Sequence, residues 1–128
     1  MTGMKITEIC ELGVSSVVFR GDKSHLSLSK DGSKRTIPLT RSAVTVLRRY
    51  IETHKPDSAL FRISPHGVRK YTRKIGDLYK DLKDLSPEVL RVTFAVLAIE
   101  QGMDMAEVGQ TLGHQNLATT RRYLDQVI

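Results

Sequence analysis

The spacing of apolar positions changes near residue 40. Before it, apolar and polar residues alternate over short runs; after it, apolar residues recur every three or four positions. Ile6, Ile9 and Cys10 predict a short helix from Thr7 to Leu12, closed by Gly13, with Cys10 in the core. Ser15 to Arg20 is β-branched and aromatic and predicts a strand. A turn at Gly21-Asp22-Lys23 leads to an alternating run from His25 to Ser29, with Leu26 and Leu28 on one face. Lys30-Asp31-Gly32-Ser33 is a second turn, and Lys34 to Leu39 a third strand, which Pro38 confines to an edge or an end. The three strands predict an antiparallel meander.

Thr40 or Ser42 is placed to cap a helix with Val44, Leu47 and Ile51 on one face, and Pro56-Asp57-Ser58 breaks it. Ser64-Pro65 reads as the cap and first turn of a helix toward Leu82, with Val68, Tyr71, Ile75 and Leu78 inward. Ser86-Pro87 repeats that start; its helix buries Leu90, Phe94, Leu97 and Ala98 and stops at Gly102. Asp104 caps a shorter helix through Met105, Val108 and Leu112, closed by Gly113, and Asn116 opens a last one from Leu117 to Val127. The fold class is α+β: mostly helical, with a small three-stranded antiparallel sheet, in a single domain over residues 1–128.

Composition narrows the function classes. At 128 residues, 40% hydrophobic and 27% charged, the chain is long enough for a core and too apolar for global disorder. One cysteine forbids an intrachain disulfide and a cysteine zinc cluster. No run of 18 apolar residues and no signal pattern predict a soluble, cytoplasmic protein away from membranes. The histidines His25, His54, His66 and His114 lack paired ligand spacing, so neither a metal nor another cofactor is expected. From Arg20 to Arg49 eight basic residues face two acidic ones, an excess equal to the whole net charge of +6. That concentration points to a polyanionic partner, because phosphate neutralisation drives nucleic-acid affinity. Arg69, Lys70, Arg73 and Lys74 form a second cluster, offset by Asp77, Asp81 and Asp84. Arg91, beside a buried leucine, is a charge that needs a partner. Taken singly, Tyr123 reads as an ordinary amphipathic-helix residue, His114 as a helix-end histidine and Lys30 as a turn lysine.

Their order says more. Thr2-Gly3-Met4-Lys5-Ile6-Thr7-Glu8 resembles the Thr-Gly-Leu-Arg-Ile-Ser-Glu box of the tyrosine recombinases, the phage integrase family. Lys30 to Leu39 is similar to that family's Lys-Gly-x-Lys-x-Arg-x-Val-Pro-Leu hairpin, and Leu90 to Ala95 to its His-x-Leu-Arg-His-Thr-Phe-Ala box. Leu112-Gly113-His114 and Thr119-Thr120-Arg121-Arg122-Tyr123 resemble its Leu-Gly-His and Thr-Thr-x-x-Tyr ending. The resemblance covers nearly the whole chain. It implies a metal-independent enzyme of prokaryotic or phage type that breaks and rejoins double-stranded DNA through a 3′-phosphotyrosine. By that resemblance Tyr123 is the nucleophile and Arg91 the second arginine of a pair that clamps the phosphate. His114 hydrogen-bonds the phosphate, and Lys30 protonates the leaving 5′-oxygen. Arg20, Lys23, Lys34, Arg35, Arg41, Arg69 and Arg73 are candidate DNA contacts.

Three positions depart from the pattern: Lys5 replaces the first arginine, and Glu88 and Val92 replace two histidines. Lys5 keeps the charge and loses the planar fork. Glu88 places an anion near a phosphate site, although it is also able to pair with Lys5 or Arg91 or to serve its helix start. Losing one preorganised donor costs roughly 10²–10³ in rate. An impaired DNA-binding relic or regulator is therefore one alternative, and a helical protein-interaction module another. Against the family the chain reads as truncated at both ends, without the N-terminal core-binding domain, so exposed apolar surface and self-association on DNA are expected.

Overall fold

The computed structural model describes residues 2–30 and 32–126. Asp31 of the predicted turn and the predicted helix end at Val127 lie outside the described residues. The helices are α1 (Ile6–Glu11), α2 (Arg41–His54), α3 (Pro65–Leu78), α4 (Pro87–Glu100), α5 (Met105–Leu112) and α6 (Leu117–Asp125). The strands are β1 (Val17–Val18), β2 (His25–Lys30) and β3 (Ser33–Pro38), antiparallel in the order β1-β2-β3. No helix is long and apolar enough to cross a membrane among the described residues.

Helix starts follow their caps. The hydroxyls of Thr40, Ser64 and Ser86 accept from the backbone N–H groups of Ala43, Gly67 and Val89 at 3.2, 3.1 and 3.2 Å. Asn116 accepts from Thr119 at 3.1 Å. Asp104 accepts from Glu107 N–H at 2.8 Å, while the Glu107 carboxylate accepts from Asp104 N–H at 3.0 Å. Each such cap is worth about 1 kcal/mol. Thr40, not Ser42, caps α2.

The chain divides into two units. One comprises Thr2 and Glu11–Arg62 and holds the meander and α2. Its register sets Leu26 opposite Ile37, and both are buried. The strand predicted over Ser15–Arg20 shrinks to Val17–Val18. Val14–Ser16 turns instead as a 3-10 helix, because Val14 N–H donates to Ser58 at 2.8 Å and Gly13 bridges Ala59. Pro38 ends β3, an edge strand, where its missing N–H costs no ladder bond.

The other unit comprises Gly3–Cys10 and the residues from Ile63 onward. Its core is Ala95, Ala98, Val108, Leu112 and Leu124, with Phe94, Met105 and Tyr123 packed against it. Cys10 is half-buried rather than core. Two predicted faces are corrected. α3 buries only its small residues Thr72 and Gly76, and ends at Leu78 before a 3-10 turn at Lys80–Leu82. Tyr71, Ile75 and Leu78 point outward. α4 buries Arg91, Ala95 and Ala98. Leu90 and Leu97 are exposed, and Phe94 is only partly buried. A helix apolar on nearly every side leaves its inner face undecided by spacing, and here the small residues allow close approach.

Leu112 has no exposed surface, whereas Leu78 is 74% exposed. Leu112→Ala is expected to cost about 2–5 kcal/mol, and Leu78→Ala within about 0.5 kcal/mol. Urea unfolding of the two variants checks the contrast.

Candidate active site

Arg91 lies on the inner face of α4 and is 9% exposed. A buried guanidinium requires acceptors. Its Nη1 donates to the Gly3 carbonyl at 2.9 Å, and its Nη2 to the Leu112 carbonyl at 2.8 Å. Leu112 is the last residue of α5, so its carbonyl is one that the helix leaves unsatisfied. Gly3 has φ +67, and a Cβ there would lie 2.5 Å from Phe94 Cδ1 and 2.9 Å from Leu112 Cδ2. Only glycine brings that carbonyl to Arg91 without displacing the core.

Gly113, at φ 79, closes α5 and delivers His114. The backbone N–H of His114 donates to Gly109 at 2.8 Å. Its Nε2 lies 3.3 Å from Arg91 Nη2 and its Nδ1 2.9 Å from Thr120 Oγ1. Tyr123, three residues after Thr120 on α6, meets the His114 ring edge-on, with centroids 5.4 Å apart. Arg91 Cζ lies 5.8 Å from the Tyr123 ring centroid. Burial pushes the Tyr123 hydroxyl up from its ordinary pKa, Arg91 pulls it down, and the Glu88 charge adds to the rise. The group therefore rests as a phenol at neutral pH, and a nucleophilic role requires deprotonation during attack.

Glu88 sits in the first turn of α4, one turn before Arg91 on the same helix. Its partner is neither Lys5 nor Arg91. Arg69 Nη2 of α3 lies 2.6 Å from Glu88 Oε1, with the side chains 49% and 57% exposed. The hydrogen bond from Arg69 is the main reason that the Glu88 carboxyl is held below its ordinary pKa. Arg69, a candidate DNA contact by sequence, thus also pairs with a carboxylate, and both Arg69 and Arg73 are exposed on α3. Spacing missed this pair, since its members stand on different helices.

Lys5 is exposed, and its backbone N–H donates to the Glu8 carboxylate at 2.8 Å. Lys30 is the exposed last residue of β2, in the unit that holds the meander. Arg20, Lys23, Lys34 and Arg41 are exposed in that unit, and Arg35 is half-buried. Arg41 also reaches Asp22 at 3.4 Å, a pair too solvated to fix either side chain. Among the described residues no group of three or more His, Cys, Asp or Glu side chains is placed to hold a metal ion.

A model of the phage integrase family matches residues 1–127. The chain belongs to the phage integrase family. Among curated relatives, tyrosine recombinase XerA of Pyrococcus horikoshii is 32% identical over 137 residues, covering 94% of this chain and 45% of that protein. Tyrosine recombinase XerD of Staphylococcus epidermidis is also 32% identical, over 95% of this chain and 45% of its own length. The chain thus spans a little under half of the integrase-family proteins it matches. A crystal structure of a XerA recombinase superposes with a TM-score of 0.78 at 27% identity, over 96% of this chain and 48% of that one. The XerH site-specific recombinase bound to its difH substrate shares the fold, with a TM-score of 0.76 at 20% identity, over 95% of this chain and 39% of that one. The α+β class and the small antiparallel sheet are those of this family's catalytic domains.

Two titrations follow from the site. The tyrosinate absorbance that Tyr123→Phe removes is expected to develop above the ordinary value of 10.0. Because the folded value is the higher one, the associated stability is complete below the unfolded pKa and is lost as pH rises through the folded one. Alkaline unfolding should therefore begin at higher pH in Tyr123→Phe. For Glu88 the sign reverses: its contribution is present above the unfolded pKa and is lost as pH falls through the lowered folded one. Solvent screening keeps this contribution under about 1 kcal/mol. Carboxyl NMR should place the Glu88 midpoint below its ordinary value, and Arg69→Gln should move it up.

Proposed function

We propose that this chain is the catalytic domain of a site-specific recombinase that acts on double-stranded DNA. The observation that carries the reading is the meeting of Arg91, His114 and Tyr123, from three helix ends and faces, at one site. The names of the relatives support it, since they are tyrosine recombinases. In this reading Tyr123 Oη attacks the scissile phosphorus. A Tyr–O–P bond forms, the P–O5′ bond breaks, and the phenolic proton passes to solvent. Lys30 gives a proton to the departing 5′-oxygen. The transition state spreads negative charge over the non-bridging oxygens, where Arg91 supplies N–H groups beyond those bound to Gly3 and Leu112. As the imidazolium, which carries a proton on each ring nitrogen, His114 donates from Nε2 to the same oxygens. Lys5 supplies a point charge where a fork would bind two oxygens. The exposed basic residues Arg20, Lys23, Lys34, Arg41, Arg69 and Arg73, with the half-buried Arg35, contact the DNA backbone. Copies of the chain associate on that DNA, in the cytoplasm of a cell of prokaryotic type, with neither metal nor cofactor required.

Glu88 favours a second reading, DNA binding without cleavage. Its negative charge opposes both a phenolate at Tyr123 and a nearby phosphate. Arg69 cancels much of that charge, which favours the first reading.

A nicked suicide DNA substrate separates the two. Covalent capture is expected with the wild type and none with Tyr123→Phe, while Arg91→Ala should lose at least roughly 10²-fold in rate. Salt-sensitive binding with no adduct would establish the second reading, particularly if a Lys5→Arg/Glu88→His double change restores capture. Each phosphate contact should steepen the salt slope by about 0.9. Indifference to DNA at moderate salt would remove both readings and leave a protein-interaction module.

A further inference from the structure

We infer that Thr120, seated against Gly109, decides which ring nitrogen of the neutral His114 carries the proton. The inference rests on the proposed function only for its catalytic consequence.

Arg91 Nη2 is always a donor, because a guanidinium has no acceptor. Its neighbour at 3.3 Å, His114 Nε2, therefore meets it with a lone pair. A neutral imidazole with a bare Nε2 carries its proton on Nδ1. Nδ1 lies 2.9 Å from Thr120 Oγ1, so it donates and the hydroxyl accepts. Thr120 has no exposed surface, so bulk solvent does not reach its hydroxyl. Removing the hydroxyl would leave a buried N–H unsatisfied, a cost that shifts the proton to the other nitrogen.

Gly109 makes this possible from the opposite side. A Cβ at Gly109 would lie 2.7 Å from Thr120 Oγ1, inside any tolerable contact. The same residue's carbonyl accepts the His114 backbone N–H at 2.8 Å. One glycine thus anchors the histidine's main chain and leaves room for the hydroxyl that orients its ring. Thr120 and Gly109 are positioning residues: they act through His114, whose Nε2 is presented to Arg91 beside the Tyr123 ring as an acceptor.

Nitrogen-15 NMR of the histidine-labelled chain at a pH where the ring is neutral reads the tautomer directly, with His114→Gln identifying the His114 signals. The wild type is expected to show a protonated Nδ1 and a bare Nε2. Thr120→Ser should keep that signature, whereas Thr120→Val and Gly109→Ala should shift population toward a protonated Nε2. In the cleavage assay Thr120→Val should lose roughly 10- to 100-fold, as when a histidine is deprived of the partner that orients it, and Thr120→Ser should recover most of it. A protonated Nε2 in the wild type overturns the inference, whatever the variants do. So does an unchanged tautomer in a folded Thr120→Val. If Thr120→Val and Gly109→Ala fail to fold, the wild-type and Thr120→Ser signatures still decide. A wild type with the inferred tautomer but no covalent adduct sinks the recombinase reading and leaves this one standing.

Discussion

The burial of one positive charge organises the site. Arg91 sits on α4 among alanines, where a guanidinium without partners would cost several kcal/mol. Its two carbonyl partners come from widely separated stretches of chain, Gly3 and Leu112. The cation thereby ties the segment before α1 to α4 and to the C-terminal end of α5. The α5 end suits it twice over: Leu112 offers an unsatisfied carbonyl, and the helix dipole is negative there. Moving either the Gly3 segment or α5 away from α4 removes one acceptor from the buried guanidinium. The placement of the Arg91 side chain is thus enforced by the same penalty that holds these elements together.

The nucleophile candidate sits inside that arrangement under opposing forces. Burial disfavours a phenolate at Tyr123, Arg91 favours it, and Glu88 opposes it. The resting balance is a protonated hydroxyl, which is inert toward solvent electrophiles. The Glu88–Arg69 pair limits the damage from the carboxylate: an ion pair with a 2.6 Å contact presents a dipole rather than a bare anion. The pairing also holds Arg69 beside the first turn of α4, one helical turn from Arg91.

The sequence made some of this legible and hid the rest for physical reasons. Caps and breakers act within four residues, so Ser64, Ser86, Asp104 and Asn116 marked helix starts correctly, and the start of α2 was narrowed to Thr40 or Ser42. Arg91 stood out because a charge on an apolar helix demands acceptors, though the acceptors themselves, backbone carbonyls, leave no trace in a side-chain pattern. α3 misled because Tyr71, Ile75 and Leu78 share a helical spacing while its buried contacts use Thr72 and Gly76. α4 misled because it is apolar nearly all round. The Arg69–Glu88 pair joins positions on two helices, which no local pattern reports. Thr120 was in plain view within a motif, yet its role depends on the ring it faces.

Burial also separates the residues that frame the site from two of the departures, Lys5 and Glu88. Gly3, Arg91, Gly109, Leu112 and Thr120 are all buried, and each touches another member of the set or His114. Lys5 is exposed, and Glu88 keeps more than half of its side chain in solvent. The buried set determines where the Arg91 and His114 side chains stand. The exposed pair determines what field a ligand meets on approach. A changed residue in the first set would unseat the site together with the core beneath it, since the same atoms serve both. Changes at positions 5 and 88 alter charge without touching that framework. The packed framework around Arg91 and His114 is thus independent of Lys5 and Glu88, whose side chains stand largely in solvent.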